Sequence, residues 1–291
     1  MIPAQFDYVR PPDLAGALRV LKDREGEAKV LSGGYSLIPL LKLRLAQPGL
    51  LVDIRDVAGL DAIVEAEDGL HIGGRVTHRR IHDDPVVGRS YPLLRDAAGG
   101  IGDPQVRNWG TIGGSCAHAD PSADWPAVLI AARATIVCRS TDGERTIPAR
   151  EFFLDTFQTA IEPTEILTEV RIPQPGDRSG GAYEKIERKA GDFATAAAAV
   201  QLRLNPDGTF AEVGIGLTAV AETAFAATDA EALLVGRDPL DDAYREAGQA
   251  AAAQSRPAAD GHGPVAYKRA MAAEMTIRAL RRAVARARGV A

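Results

Sequence analysis

Cysteine is almost absent from this sequence, which has only Cys116 and Cys138 among its 291 residues. Neither belongs to a C-x-x-C pair, so this chain alone lacks the ligands of an iron–sulfur cluster or a cysteine-rich zinc site. In a chain so long and so poor in cysteine we expect no disulfide. We also predict no metal site, because four of the histidines are scattered without metal-ligand spacing: His71, His78, His82 and His262.

The sequence also lacks an excess of basic residues and long apolar runs. The formal net charge is -5 and the pI about 5.6, which argues against a nucleic-acid partner because phosphate binding needs clustered Lys and Arg. The basic C-terminal stretch RALRRAVARAR has Leu280, Val284 and Ala287 at helical spacing, so we interpret its arginines as a solvated helix face. We find neither a signal peptide nor a membrane-spanning run. The expected location is the cytoplasm, with a peripheral position at the inner face of the membrane as an alternative.

The composition that remains is that of a globular protein, 46% hydrophobic and 25% charged. The length predicts about two domains, and the Pro- and Gly-rich segment 172–181 is the best boundary. We therefore predict a first domain over 1–176, with subdomains of about 1–56 and 57–176, and a second over 177–291. Strand patterns after the boundary indicate an antiparallel meander, and alanine-rich helices over 222–290 are expected on one of its faces. The predicted fold class is α+β.

A glycine-cornered turn, SGGYS, follows the predicted strand AKVLS near the N-terminus. Pro12 and Asp13 suit the first turn of the preceding helix, Ser36 is a candidate N-cap for the next helix, and Pro39 fits the first turn of that helix. Such a turn can be a plain corner in which glycine supplies a positive φ. It can also present free backbone N–H groups to an anion.

A second turn of this kind, TIGGS at 111–115, lies in a polar stretch over 99–124 that we predict to be mostly loop. It follows a predicted hairpin with an Asp68-Gly69 turn and helices near 77–83 and 91–99. A helix at 122–132 and strands near 134–139 and 166–172 come after it. Asp124 suits a ribose hydroxyl pair, since a carboxylate accepts two hydrogen bonds. A plain helix N-cap, which fits Ser122 or Asp120 better, is the alternative.

One apparent dinucleotide motif is rejected. Gly214, Gly216 and Ala219 form G-x-G-x-x-A, but Val213, Ile215 and Leu217 alternate around them as in a strand. The motif is credible only as the turn between a strand and a helix. We therefore predict that these glycines are packing positions in a strand.

The two glycine turns, followed by an acid and later by a lysine, resemble the FAD-binding medium subunit of molybdenum-containing hydroxylases over nearly the whole chain. The matching positions are Ser32, Gly33, Gly34, Tyr35, Ser36 and Leu37 in the first turn, Thr111, Ile112, Gly113, Gly114 and Ser115 in the second, and Asp124 and Lys185. The segments AHADPSAD and KIERKAGDFATAA are similar to the aerobic carbon monoxide dehydrogenase branch. Tyr35 and Ser115 replace residues more usual in the family, and both keep a hydrogen-bonding side chain.

The resemblance implies a two-subdomain FAD-binding domain of the PCMH type, with backbone groups of 32–36 and 111–115 around the pyrophosphate. It further implies that Asp124 holds a ribose or ribityl hydroxyl and that Ile101 and Leu167 line the flavin or adenine. Lys185 would lie near the isoalloxazine, where positive charge favours the reduced, anionic flavin, and Phe193 would lie near the ring. From the sequence pattern alone, Lys185 could instead be a solvent-facing strand residue on one face with Tyr183 and Glu187.

The resemblance also implies a role in electron transfer. The chain would take electrons from iron–sulfur clusters of a small partner subunit, while a large subunit oxidises the substrate at a molybdenum cofactor, within a dimer of heterotrimers. It would pass the electrons to quinone, NAD or oxygen. No residue of this chain is expected to be catalytic, and we interpret Cys116, His118 and Asp120 as structural. A medium subunit for xanthine, aldehydes or N-heterocycles, and a stand-alone FAD oxidoreductase, remain alternatives.

Overall fold

In the computed structural model, which describes residues 1–290, the chain begins with a small parallel sheet. The elements are β1 (Asp7–Val9), α1 (Leu14–Asp23), β2 (Ala28–Leu31), α2 (Leu37–Lys42) and β3 (Leu50–Asp53). The central β3 pairs in parallel with β1 and β2. Asp13 is the N-cap of α1, since its Oδ1 accepts a hydrogen bond of 2.7 Å from Gly16 N. The helix therefore starts after Asp13, so Pro12 and Asp13 precede it and do not lie in its first turn as predicted.

A five-stranded antiparallel sheet follows, with strand order β4-β5-β10-β6-β7. The Asp68-Gly69 hairpin and the two helices after it are confirmed, whereas the sequence did not reveal the partner strand β7. The elements are β4 (Ile63–Ala66), β5 (Gly69–Gly73), α3 (His78–Asp83), α4 (Pro85–Ser90), α5 (Pro92–Gly100), α6 (Pro104–Trp109), α7 (Ile112–His118), α8 (Asp124–Ala131), β6 (Thr135–Ser140), β7 (Gly143–Pro148), α9 (Ala149–Phe152), β8 (Phe153–Asp155), β9 (Gln158–Thr159) and β10 (Ile166–Pro173).

The prediction that 99–124 is mostly loop is wrong, because this stretch contains both α6 and α7. Each helix has a side-chain N-cap: Asp103 Oδ1 accepts from Val106 N at 2.9 Å, and Thr111 Oγ1 accepts from Gly114 N at 3.1 Å. The second glycine turn thus forms the first turn of α7. Its glycines permit close contact, since a Cβ at Gly113 would lie 2.5 Å from Gly74 O.

The C-terminal part is an antiparallel sheet of order β11-β12-β13-β14, as the meander pattern predicts. Alternate residues of β12 belong to different cores: Ala196 and Ala198 pack with the three C-terminal helices, and Ala197 and Ala199 pack with the preceding part of the chain. The elements are β11 (Ser179–Ile186), β12 (Ala196–Leu204), β13 (Phe210–Thr218), β14 (Phe225–Ala226), α10 (Thr228–Leu234), α11 (Asp241–Gln254) and α12 (Val265–Ala287).

Helix α8 packs on the face of this sheet opposite the three C-terminal helices. Gly214 and Gly216, the strand glycines of the G-x-G-x-x-A motif, lie at this contact. A Cβ at Gly214 would come within 2.1 Å of Ala131 O, and one at Gly216 within 2.0 Å of Ala127 O. Their interpretation as packing positions is therefore confirmed. The close contact joins the N-terminal and C-terminal parts of the chain along one apolar seam.

Among the described residues, no helix combines the length and the apolar character that crossing a membrane requires.

Candidate cofactor site

The two glycine turns, 79 residues apart in sequence, touch each other in the structure. Ser32 Oγ lies 3.1 Å from Thr111 Oγ1. A Cβ added at Gly33 would lie only 1.9 Å from Trp109 O and 3.2 Å from Gly110 Cα. Only glycine allows the first turn to approach the backbone that enters the second, so the sequence at position 33 is explained by this contact.

The first turn offers free backbone donors. Residues 32–36 connect β2 to α2, and Gly34 has a φ of 81°. Among residues 1–290, no oxygen accepts a hydrogen bond from the N–H groups of residues 32–36. Ser36 occupies the N-cap position of α2 but makes no side-chain capping bond. A row of unpaired N–H groups on a glycine turn is suited to hold the oxygens of a phosphate.

The second turn differs, because its backbone donors are already engaged within the protein. Ile112 N donates to Val76 O, Gly113 N to Gly74 O, and Gly114 N to Thr111 Oγ1, at 3.0 to 3.1 Å. Ser115 N donates to Thr111 O at 3.0 Å. What this turn can offer a ligand is therefore its side-chain hydroxyls and the close approach that its glycines permit.

The acid and the lysine that the sequence singles out meet in a buried ion pair. Lys185 Nζ lies 3.3 Å from Asp124 Oδ1, and both side chains are 8% exposed. Tyr183 donates a hydrogen bond of 2.6 Å to the same carboxylate oxygen. The solvent-facing alternative for Lys185 is wrong, because α5 packs on β11 and the ammonium contacts Asp124 and Gly100 O. Burial raises the pKa of Asp124, and the ammonium of Lys185 acts in the opposite direction.

The helix-cap alternative for this region is not what the structure shows. Asp124 is the first residue of α8, and the N-cap position is Ala123, which makes no side-chain bond. Asp120 instead closes a small turn, where its Oδ1 accepts from Ser122 N at 2.8 Å. The carboxylate of Asp124 is therefore directed to Tyr183 and Lys185 rather than to its own helix.

Glu187 joins this group, and sequence reasoning missed it as a site residue. Its Oε2 lies 3.2 Å from Lys185 Nζ, yet among the described residues no group makes a hydrogen bond to this buried oxygen. We call Asp124, Tyr183, Lys185 and Glu187 the carboxylate–lysine cluster. The sequence pattern did place Tyr183, Lys185 and Glu187 on one face. It could not show that other parts of the chain bury this face.

Ile101 lies in a segment whose carbonyl groups are held by two cations. Arg107 Nη1 donates to Ile101 O at 3.0 Å and to Gly102 O at 2.8 Å, while Lys185 Nζ donates to Gly100 O at 3.1 Å. Arg107 was not recognised from the sequence. The segment thus lies beside the carboxylate–lysine cluster, and the partly buried Ile101 packs on the adjoining core.

Phe193 and Leu167 occupy the margins of the same region. Phe193 is exposed, and its loop touches the segment that carries Ile101, since a Cβ at Gly191 would lie 3.3 Å from Gly102 C. Leu167 is 6% exposed, and its carbonyl oxygen faces Gly74, which also contacts the second turn. Tyr35, in the first turn, is 41% exposed.

The remaining candidates from the sequence have surroundings that account for them as structural residues. Cys116 is fully buried, and burial raises the pKa of its thiol, which disfavours the nucleophilic thiolate. Both cysteines are free. The ring of His118 lies against Phe157, with centroids 5.0 Å apart. His78 accepts from Trp125 Nε1 at 3.0 Å, and its burial lowers its pKa to about 4.

The fit of these residues to FAD can be judged from the structure itself. The first turn has free donors for phosphate oxygens, and the contact at Gly33 joins it to the second turn. A dinucleotide that contains a pyrophosphate matches this set of donors.

Comparison with known proteins identifies the family. Residues 4–175 match the model of the FAD-binding domain in molybdopterin dehydrogenase, and residues 181–283 match the CO dehydrogenase flavoprotein C-terminal domain. The chain is 42% identical to the carbon monoxide dehydrogenase medium chain of Hydrogenophaga pseudoflava over 98% of this chain and 99% of that protein. It is 36% identical to the 6-hydroxypseudooxynicotine dehydrogenase complex subunit alpha of Paenarthrobacter nicotinovorans, over 99% of this chain and 97% of that protein.

The fold agrees with a solved structure. A chain of the H. pseudoflava carbon monoxide dehydrogenase that lacks the Mo-pyranopterin moiety superimposes with a TM-score of 0.96 at 44% identity, covering 98% of this chain and 99% of that one. The predicted α+β class and the resemblance are thereby confirmed. The chain belongs to the FAD-binding medium subunits of the molybdenum hydroxylases, a family of oxidoreductase subunits.

Proposed function

We propose that this chain is the FAD-carrying electron-transfer subunit of a molybdenum-containing hydroxylase and that it holds FAD between its two glycine turns and its carboxylate–lysine cluster. The observation that carries the proposal is the junction of the turns at Gly33, beside a row of unpaired N–H groups. We propose 1–176 as the FAD-binding domain, with subdomains 1–56 and 57–176, and 177–291 as the C-terminal domain. The proposed site combines residues from both domains.

Each part of the site has its own binding task. The N–H groups of 32–36 donate to the pyrophosphate, and Thr111 and Ser115 add hydroxyl donors from the second turn. Asp124 accepts from a ribose or ribityl hydroxyl, and Ile101, Leu167 and Phe193 supply apolar surface. Lys185 places a positive charge beside the isoalloxazine, in a position excluded from water.

Bound FAD supplies the redox chemistry, while the chain supplies binding, orientation and electrostatics. The partners are a large subunit with the molybdenum cofactor and a small subunit with iron–sulfur clusters, in a cytoplasmic dimer of heterotrimers. The chain receives electrons from those clusters and delivers them to an external acceptor such as quinone, NAD or oxygen. We propose carbon monoxide as the substrate of the complex, because the chain is more similar to a carbon monoxide dehydrogenase subunit than to the 6-hydroxypseudooxynicotine dehydrogenase subunit, at 42% against 36% identity.

The composition of the native complex tests this proposal. After size-exclusion chromatography of the tagged chain from its own cells, we expect FAD, molybdenum and iron to elute together, and carbon monoxide to reduce a dye in that fraction. Dye reduction only with xanthine, an aldehyde or an N-heterocycle would assign another member of the family. A lone yellow protein that turns over a substrate would refute the subunit role.

A further inference from the structure

A cleft of about 420 Å³ lies where the N-terminal and C-terminal parts of the chain meet, and this volume is typical of small-molecule sites. Its walls come from α3, α5, β11 and α12. The lining residues with polar side chains are His82, Arg95, Asp96, Tyr183, Arg282 and Arg286. We call it the arginine cleft. Neither the glycine turns nor the proposed contacts of FAD contribute a residue to it.

Asp96 holds two of these arginines in place and has no acceptor left for a ligand. Its Oδ1 accepts from Arg282 Nη2 at 2.6 Å and from Arg286 Nη2 at 3.1 Å. Its Oδ2 accepts from Arg286 Nη1 at 2.6 Å and from Tyr183 N at 3.3 Å. Since each carboxylate oxygen has about two lone-pair sites, these four bonds occupy both oxygens. The cleft is therefore unsuited to a cation, which would need a free carboxylate.

The arginines themselves keep donors that the chain does not use. Arg282 and Arg286 bind their partners only through Nη atoms, so among residues 1–290 the two Nε–H groups have no acceptor. Arg95, also in the lining, forms neither a hydrogen bond nor an ion pair with any of these residues. The cleft thus offers donors from three separate guanidinium groups.

The charge balance of the cleft is positive as well. Asp96 and Glu184 are the carboxylates that pair with its arginines, and the latter accepts from Arg282 Nη1 at 2.8 Å. Three guanidinium groups therefore face two carboxylates, and one positive charge has no counter-ion. Asp83 leaves this balance unchanged, because it pairs with both His82 and Arg79.

We propose that the arginine cleft binds the phosphate group of a small molecule. Guanidinium N–H groups match the oxygens of phosphate and carboxylate. Phosphate fits better here, because its three acceptor oxygens can each take a donor from a different arginine, whereas a carboxylate has two oxygens. Because Arg95 belongs to α5 and the other two arginines to α12, the bound phosphate links the two parts of the chain and stabilises their contact.

The test titrates the FAD-loaded full-length chain with inorganic phosphate and follows binding by isothermal titration calorimetry. FAD keeps phosphate out of the glycine turns, and chloride holds the ionic strength constant, so that general screening does not change. We expect one phosphate per chain. We expect Arg95→Gln to weaken its binding about fivefold, because charge-assisted hydrogen bonds of a solvent-exposed group are lost.

Arg19→Gln is the matched control. Arg19 is an exposed arginine of α1 and, like Arg95, has no ion-pair partner among residues 1–290, so both variants lose one positive charge without breaking a contact. Its phosphate affinity should equal that of wild type. Ribose 5-phosphate distinguishes the two sources of the phosphate group: tighter binding than inorganic phosphate identifies a phosphate ester as the ligand, and weaker binding identifies free phosphate.

Three results would overturn the proposal. The first is that neither inorganic phosphate nor ribose 5-phosphate binds to the wild-type chain. The second is an equal affinity of Arg95→Gln and Arg19→Gln for phosphate, which would show only a general attraction to a charged surface. The third is acetate binding as tight as that of phosphate. The comparison of the two variants does not depend on the proposed function, because it can also be made with a chain that carries no FAD.

Discussion

Replacing Gly33 by alanine should separate the two glycine turns and release FAD. The added Cβ would lie 1.9 Å from Trp109 O and 2.8 Å from Trp109 C. Since ordinary contacts of carbon are about 3.5 Å, the turns must move apart by about 1.5 Å. This displacement is large enough to break the contact of 3.1 Å between Ser32 Oγ and Thr111 Oγ1.

Overpacking of this kind costs about 1 to 3 kcal/mol. If the strain falls on the cofactor-bound state, the affinity for FAD drops roughly 5- to 150-fold. Flavin fluorescence quenching measures the affinity, and circular dichroism shows whether the fold persists. Gly49→Ala is the matched control, because a Cβ there would meet its nearest atoms at 3.8 Å. Wild-type affinity in a folded Gly33→Ala protein would refute the role assigned to this contact.

Two further predictions concern stability. The pKa of His78 lies at about 4 in the fold, below its ordinary value of 6.5. Protons therefore bind the unfolded chain first, and the free energy of unfolding falls as the pH drops through 6.5 towards 4, by roughly 2 to 3 kcal/mol at pH 4.5. Urea unfolding at pH 7 and pH 4.5 should show this loss of stability in wild type and not in His78→Asn. A loss of the same size in both proteins would contradict the prediction. Glu231 binds Arg150 Nη1 at 3.0 Å and Ile215 N at 2.8 Å. Glu231→Ala should thus cost about 3 kcal/mol, seen as a lower Tm, whereas Glu246→Ala, which breaks an exposed pair, should change Tm little. Equal Tm values for these two variants would argue against a stabilising role for the contacts of Glu231.

The two turns could be recognised from the sequence because each is a short pattern of two glycines between hydroxyl-bearing residues. Glycine is needed where the backbone bends at positive φ, as at Gly34, or where another chain segment approaches, as at Gly33. Asp124 could likewise be placed at the start of a helix from its neighbours. The patterns themselves are short enough to recognise in the sequence, whereas the contact that requires Gly33 involves the distant Trp109.

The features that the sequence could not reveal depend on contacts between distant segments. The alternation of Tyr183, Lys185 and Glu187 predicts a shared face but does not show that α5 and Asp124 lie against it. The ion pair of Glu187 with Lys185 can be seen only once the packing is known. The error over 99–124 is different in kind, because Gly and Pro content outweighed the N-cap Asp103 with Pro104 after it, a recognised helix start.

The close seating of α8 on β13 has a consequence for how the chain is put together. Gly214 and Gly216 let the helix that begins with Asp124 touch the sheet that carries Lys185, and the apolar core continues through the contact. Separated at 174–178, each piece would expose an apolar face that the other now covers. We therefore expect the two pieces to unfold together, with the connecting segment as a covalent tether between them. Cofactor retention then reports on the assembly of both pieces and not on the glycine turns alone.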